Sequence, residues 1–214
     1  MRKETEDAAG LAEIRGEIDH LDEQIQALIS ARARLAFRVR ESKGKELQAV
    51  DFYRPEREAQ VLRGVLERNE GPLSDAEMIR LFREIMSACL AQQEPLKVAY
   101  LGPEGTFTQQ AVHRHFGHSV HAIGLPGIDT VFEQVQAGDA DFGVVPVENS
   151  SQGIVSHTFD MFLLSDLKIC GEIELRVHQN LLTLAKSLEQ IERVYSHEQS
   201  LSQCKNWLRT HLPG

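Results

Sequence analysis

The chain has 214 residues, of which 42% are hydrophobic and 26% charged, a composition typical of a folded protein with one or two cores. Its formal net charge of −9 argues against nucleic-acid binding, which needs a basic surface. No stretch approaches the roughly 18 apolar residues that span a bilayer, and the first ten residues lack the apolar region of a signal peptide. We therefore expect neither a membrane protein nor a secreted precursor.

Three cysteines, Cys89, Cys170 and Cys204, are widely spaced and form no C-x-x-C pattern. An odd number without such a pattern is more typical of free thiols in a reducing compartment than of a disulfide scaffold. We expect a cytoplasmic protein.

The first predicted element is a long amphipathic helix from Leu11 to Glu46. Arg32 interrupts its apolar stripe at a position where the register places an aliphatic residue. An unpaired charge in a core costs several kcal/mol, so Arg32 needs either a protein carboxylate or an acidic ligand. The stripe itself has a spacing of three and four residues: Leu11, Ile14, Ile18, Leu21, Ile25, Leu28, Leu35 and Val39.

Two further cations on this helix bear on that choice. Lys43 follows Arg32 by about three helical turns, so both point to nearly the same side, roughly 16 Å apart, and can close on a small dianion. Arg15 lies about 25 Å before Arg32 and roughly 100° around the axis, so it cannot serve the same bound molecule within one chain. If Arg15 is functional, it reaches the site of a second copy, and the narrow apolar seam of so long a helix favours a dimer.

Two more helices are predicted before Pro95. Pro55 favours the start of the second, and Ser74 to Glu77 form a capping box ahead of the third. Arg57 and Glu58 lie in the first turn of the second helix, where a solvated role is the usual one. Cys89 and Gln93 share a face of the third, where a small core residue and a surface amide are the usual interpretations.

Taken together, these residues resemble the all-helical chorismate mutase family. The resemblance covers Leu11 to Gln93 and begins with Arg15-x-x-Ile18-Asp19-x-Leu21-Asp22. It implies an intertwined helical dimer whose site combines Arg15 of one copy with these residues of the other: Arg32, Lys43, Arg57, Glu58, Cys89 and Gln93. Many members carry Asp three residues before the arginine that matches Arg57, where this chain has Arg54, and some carry Ser in place of Cys89.

The implied reaction is the Claisen rearrangement of chorismate to prephenate, which needs no nucleophile, metal or cofactor. The resemblance implies that Arg32 and other arginines hold the two carboxylates so that the reacting carbons approach. It also implies that Lys43 and Gln93 donate hydrogen bonds to the ether oxygen as negative charge grows there, while Glu58 contacts the ring hydroxyl.

Beyond Pro95, short apolar runs alternate with helical patterns, which predicts a second domain over residues 96–214, of α/β type with a largely parallel sheet, after a helical domain over 1–95. The predicted strands are Lys97–Leu101, Val120–Leu125, Phe142–Val147, Ile169–Leu175 and Val194–Ser196. The predicted helices are Thr108–Phe116, Ile128–Ala137, His157–Leu164 and Leu201–His211.

Two segments of this half could bind an anion. The loop from Gly102 to Thr108 follows a strand and opens a helix, although a plain turn with a helix N-cap explains it as well. The segment from Val145 to Gly153 ends an apolar strand in polar side chains, where parallel α/β sheets bind ligands.

These two segments, with Tyr195-Ser196-His197 and Gln203-Cys204, resemble prephenate dehydratase, whose two-lobed fold is similar to the periplasmic binding proteins. The resemblance implies that the dehydratase cleft is lined by Thr106, Glu148, Asn149, Ser196 and Gln203. The order of the two halves resembles the bifunctional enzymes of phenylalanine biosynthesis. Because the sequence ends at Gly214, we expect an incomplete second lobe, an active mutase, no conversion of prephenate to phenylpyruvate and no inhibition by phenylalanine.

Three other interpretations compete with this one. Four histidines, from His113 to His121, invite a metal site, but no carboxylate or thiolate lies near them in sequence. A non-catalytic small-anion-binding module of solute-binding fold would not need Arg32, Lys43 and Gln93. A transcriptional regulator would need a basic recognition helix in place of the long acidic one.

Overall fold

The computed structural model describes residues 2–43, 53–92, 94–150 and 153–212, and of residues 2–9, 40–43 and 199 it describes the backbone alone. The first part of the chain is helical: α1 (Arg2–Lys43), α2 (Pro55–Glu67) and α3 (Asp75–Ala91). The three predicted helices are confirmed, with α1 starting nine residues earlier than expected. Its predicted end at Glu46 lies outside the described residues.

Local chemistry explains where α2 and α3 begin. Pro55 opens α2, where its fixed φ suits the helix and its missing N–H costs no hydrogen bond. The Ser74 hydroxyl accepts a hydrogen bond of 3.3 Å from the Glu77 backbone N–H and caps α3. Half of the predicted capping box forms this way, because the Glu77 carboxylate pairs at 2.6 Å with Arg80 one turn later. Leu62 and Val65 bury the face of α2 that packs against α3.

The apolar stripe of α1 is exposed within the single chain. Its eight aliphatic side chains, from Leu11 to Val39, have exposed fractions between 49% and 69%. Helix α1 contacts α3, and the stretch from Ala31 to Ala33, together with Ala36, is half-buried. Arg32 is therefore half-buried rather than enclosed in a core. None of the helices among the described residues is long and apolar enough to cross a membrane.

A parallel three-stranded sheet forms the centre of the second part. The strands are β1 (Lys97–Leu101), β2 (His121–Leu125) and β3 (Phe142–Val144), in the order β2-β1-β3, and helices α4 (Phe107–Phe116) and α5 (Ile128–Ala137) connect them. Val98 of the central strand faces Ala122 on one side and Phe142 on the other. This confirms an α/β fold with a parallel sheet.

Helices cover both faces of the sheet because side chains alternate along β1. Val98 and Tyr100 point to one face, where they are buried with Val112 and Phe116 of α4. Ala99 points to the other face and is fully buried against Val131 of α5. Tyr53 and Leu90 of the helical part pack against the α4 cluster, so the two parts of the chain share apolar contacts.

The remainder of the chain confirms the helices predicted over His157–Leu164 and Leu201–His211 but departs from the predicted strands. The polar segment after β3 forms a short antiparallel hairpin of β4 (Glu148–Asn149) and β5 (Gly153–Ile154), followed by α6 (Ser156–Leu164), a 3-10 turn (Leu188–Gln190) and α7 (Glu198–His211).

Two of the predicted strands are wrong and one is too long. Ile169–Leu175 and Val194–Ser196 have no strand structure, and the strand predicted over Phe142–Val147 ends at Val144. A strand is defined by its ladder, and these segments lie against no neighbouring strand among the described residues. Ile169 and Tyr195 are 71% and 82% exposed, so apolar sequence alone did not bury them.

Candidate functional site

The predicted cations of α1 lie on one unbroken helix. Arg15 is exposed and Arg32 is half-buried, and the regular helical rise keeps them about 25 Å apart along the axis. Among the described residues, no carboxylate pairs with Arg32, which weighs against a purely structural Arg–Glu pair. Lys43 is helical in its backbone, while its side chain and all of Gln93 lie outside the described residues.

The first turn of α2 separates its two predicted site residues. Arg57 is exposed, and its guanidinium donates to the side-chain carbonyl of Gln60. Glu58, about 100° further around the helix, is 16% exposed and pairs at 3.3 Å with Arg83 of α3. Cys89 is 4% exposed and lies on the buried face of α3. The structure therefore does not bring Arg57 and Glu58 to one partner within the single chain.

Glu58 belongs to a polar network between the helical part and the α/β part. Burial, followed by the charge of Glu58 and a hydrogen bond to its carboxylate, raises the pKa of Tyr53 well above its usual value. The Tyr53 hydroxyl also lies 3.5 Å from Nε2 of His115 in α4. Burial lowers the pKa of His115, with the charge of Glu58 opposing the shift and that of Arg83 adding to it, which favours the neutral imidazole.

Glu84, the residue after Arg83 on α3, makes a second contact between the helical part and the α/β part. The Glu84 carboxylate accepts from Nδ1 of His118 at 2.7 Å and from the His118 backbone N–H at 3.1 Å. Burial opposes ionisation of Glu84, yet the His118 hydrogen bonds and the charges of His118 and Arg80 leave its pKa lowered. Sequence reasoning missed Arg83 and Glu84, because their side-chain partners lie 25 and 34 residues away, beyond any helical spacing rule.

The loop from Gly102 to Thr108 uses its polar groups internally. The Thr106 hydroxyl accepts at 3.4 Å from the Gln109 N–H and donates at 3.3 Å to the Leu101 carbonyl, and the Gly105 N–H donates to the Gln109 side chain at 2.7 Å. This is the turn and N-cap that the sequence also allowed. Thr106 is half-buried there.

Two predicted dehydratase residues meet at the hairpin. Gln203 of α7 donates its side-chain N–H to the Asn149 side-chain oxygen at 3.2 Å, across 54 residues of sequence. The Gln203 carbonyl in turn accepts at 3.1 Å from Gln179. Glu148 and Ser196 are exposed. The structure thus joins Asn149 and Gln203.

The histidines around α4 do not converge on one point. The rings of His113 and His118 stack with centroids 4.6 Å apart, His118 bonds Glu84, and His115 approaches Tyr53. His121 lies on β2 and is exposed. Among the described residues, no three His, Cys, Asp or Glu side chains are grouped to hold a metal ion.

Comparison with known families follows the division into two parts. Residues 98–214 match the family model of prephenate dehydratase, and residues 14–94 match that of chorismate mutase type II.

Several curated proteins, each named bifunctional chorismate mutase/prephenate dehydratase, match nearly the whole chain. The protein of Stutzerimonas stutzeri is 54% identical over 212 residues, which are 97% of this chain and 58% of that protein. That of Pseudomonas aeruginosa is 54% identical over 208 residues, or 95% and 57% of the two chains. That of Escherichia coli K12 is 32% identical over 224 residues, or 94% and 56%. The chain therefore spans less than three-fifths of the length of these relatives.

Proposed function

Since the chain belongs to the family of bifunctional chorismate mutases and prephenate dehydratases, we propose that its helical part rearranges chorismate to prephenate. In the same proposal, the α/β part binds prephenate, the substrate that the dehydratases of phenylalanine biosynthesis convert to phenylpyruvate, water and CO2. The observation that carries the mutase proposal is Arg32, a half-buried guanidinium on an apolar helix stripe without a carboxylate partner among the described residues. Such a group is suited to an acidic ligand.

The mutase site is shared between two copies of the chain. The stripe of α1, with exposed fractions of 49% to 69%, is too apolar to remain in water along its whole length, and a second α1 covers it. In that dimer, Arg32 and Lys43 of one copy and Arg15 of the other surround one dianion. The continuous helix supports this arrangement, since it keeps Arg15 and Arg32 of one chain too far apart to share a ligand.

Catalysis at this site is conformational and electrostatic. Arg15, Arg32 and Arg57 hold the two substrate carboxylates and bring the reacting carbons together, while Lys43 and Gln93 donate to the ether oxygen as its C–O bond breaks. Glu58 accepts the hydrogen bond of the ring hydroxyl, and the buried Cys89 shapes the wall. No proton or electron leaves the substrate, so no cofactor takes part.

The dehydratase proposal rests on the hairpin and α7. Asn149 and Gln203 are joined by a hydrogen bond, which fixes two amides at the end of the strand–hairpin segment. We assign them, with Thr106, Glu148 and Ser196, to the prephenate-binding surface. The free thiols of Cys89, Cys170 and Cys204 suit a reducing compartment, and we place the protein in the cytoplasm.

Chorismate turnover tests the mutase proposal. The 214-residue chain, shown to be folded and dimeric, is expected to consume chorismate and form prephenate, and Arg15→Ala and Arg32→Ala should each abolish this turnover. Arg193→Ala, which removes an exposed arginine of the α/β part, is the matched control and should leave the turnover unchanged. Chorismate that binds without turning over would favour a non-catalytic small-anion-binding module instead.

A further inference from the structure

Arg83 joins the helical part to the α/β part through one guanidinium. Its Nε donates to Glu58 of α2 at 3.3 Å, and its Nη1 donates at 3.0 Å to the backbone carbonyl of Arg114 in the last turn of α4. The Arg83 and Glu58 side chains are 23% and 16% exposed, so this ion pair is partly shielded from water. A rigid fork of this kind fixes the angle as well as the distance of its acceptor.

The Glu58 carboxylate has acceptor capacity beyond this contact. A carboxylate offers about four lone-pair sites, and Arg83 takes one of them on Oε1. Tyr53, whose ring packs at 5.6 Å from Phe116 and 5.3 Å from Phe142, lies beside this carboxylate. Burial, together with the charge of Glu58 and a hydrogen bond to it, raises the pKa of the Tyr53 hydroxyl. Arg83 of α3 thus holds the carboxylate beside Tyr53, and lone pairs remain on it that can accept from a substrate hydroxyl.

We propose that Arg83 is a positioning residue for the mutase: it orients Glu58 for the substrate hydroxyl and fixes that orientation to the end of α4. The inference rests on the proposed mutase function, in which Glu58 contacts the ring hydroxyl. Its consequence is that the α/β part supports the mutase site through the Arg114 carbonyl. A merely structural tether would affect the stability of the protein but not the kinetics of chorismate turnover.

Substitution in the full 214-residue chain separates the two roles. Arg83→Met keeps the length of the apolar stem and removes both hydrogen bonds, and it should lower kcat/KM for chorismate roughly tenfold. Arg83→Lys should retain part of the activity, because an ammonium can pair with Glu58 but cannot reproduce the fork to Arg114. The matched control is Arg80→Met, one turn earlier on α3, whose exposed pair with Glu77 touches no proposed site residue.

A double-mutant cycle gives the decisive reading. In a Glu58→Gln background, Arg83→Met should cost much less than in the unmodified chain, because the carboxylate that it orients is already gone. Additive losses, or a kcat/KM equal to that of Arg80→Met, would overturn the positioning role while the mutase function stands. If the unmodified chain fails to turn over chorismate, the proposed function fails first and the inference with it. Should Arg83→Met not fold, Arg83→Lys carries the test, and full activity in that variant would contradict the proposal.

Discussion

At Gly117 the α/β part comes close to helix α3 of the helical part, and replacing this glycine with alanine should push the two parts apart. Its φ of +78° and ψ of −177° lie in a region open essentially to glycine, so any side chain costs on the order of 1–3 kcal/mol in backbone strain. A Cβ at this position would stand 2.5 Å from the Ser87 Cβ and 2.7 Å from its hydroxyl oxygen. Because both contacts are far inside van der Waals distance, α3 must shift away from α4.

The overlap adds to the strain, and we expect Gly117→Ala to lower the free energy of unfolding by about 2–5 kcal/mol. Urea denaturation, followed by the fluorescence of Trp207 and by far-ultraviolet circular dichroism, measures the change. Gly138→Ala is a matched control, because Gly138 has a φ of +80° but nothing within 4 Å of its would-be Cβ. That variant should lose about 1–2 kcal/mol.

The two glycines differ in ψ, so a second control isolates the steric part. Ser87→Gly removes the Cβ and the hydroxyl that the new methyl group would strike, and it should restore part of the stability of Gly117→Ala. The buried Ser87 hydroxyl has no hydrogen-bond partner among the residues that the structure describes, so its removal forfeits no hydrogen bond there. Equal losses for Gly117→Ala and Gly138→Ala, with no rescue by Ser87→Gly, would refute the close approach of α3 to α4.

Two further predictions concern the pH dependence of stability and the chemical step. Burial lowers the folded-state pKa of His115, so the stability that its neutral form contributes is present above the unfolded pKa of about 6.5 and is lost as the pH falls below that value. Denaturation curves recorded between pH 5 and 8 should show the free energy of unfolding fall toward low pH. His115→Gln should make this pH dependence flatter. Lys43→Ala should lower kcat for chorismate by about 100- to 1000-fold with a smaller rise in KM, because the ether oxygen gains charge only in the transition state. An effect of Lys43→Ala on KM alone would remove Lys43 from that role.

The sequence predicted those elements whose signals are local. Pro55 and the Ser74 hydroxyl mark helix starts, and the run from Lys97 to Leu101 matches β1 because a buried parallel strand is apolar throughout. The segment Ile169–Leu175 also carries apolar residues at a strand-like spacing, yet it forms no strand, because a strand also requires a neighbour to pair with. Composition records the tendency of a segment, whereas its partner depends on the rest of the fold.

In the candidate site, too, the sequence revealed residues with a local signal and missed those whose role depends on distant partners. Arg32 stood out because a charge interrupted a regular stripe, and its half-buried position in α1 agrees with a need for an anion. Arg83 gave no such signal, since its role depends on Glu58 and on the Arg114 carbonyl, which only the folded chain brings within 3.3 Å. That Asn149 and Gln203 belong to one site was predicted from the resemblance to a family alone, because no spacing rule links residues 54 apart.

The central claim is that two copies of the chain share each mutase site, and mixing two inactive variants tests it most directly. Arg15→Ala and Arg32→Ala chains, unfolded together in equal amounts and refolded, should form mixed dimers in half of the cases, and each mixed dimer has one intact site. We therefore predict that chorismate turnover returns to about a quarter of that of the unmodified chain. A mixture that stays as inactive as either variant alone, although dimers form, would contradict the shared site.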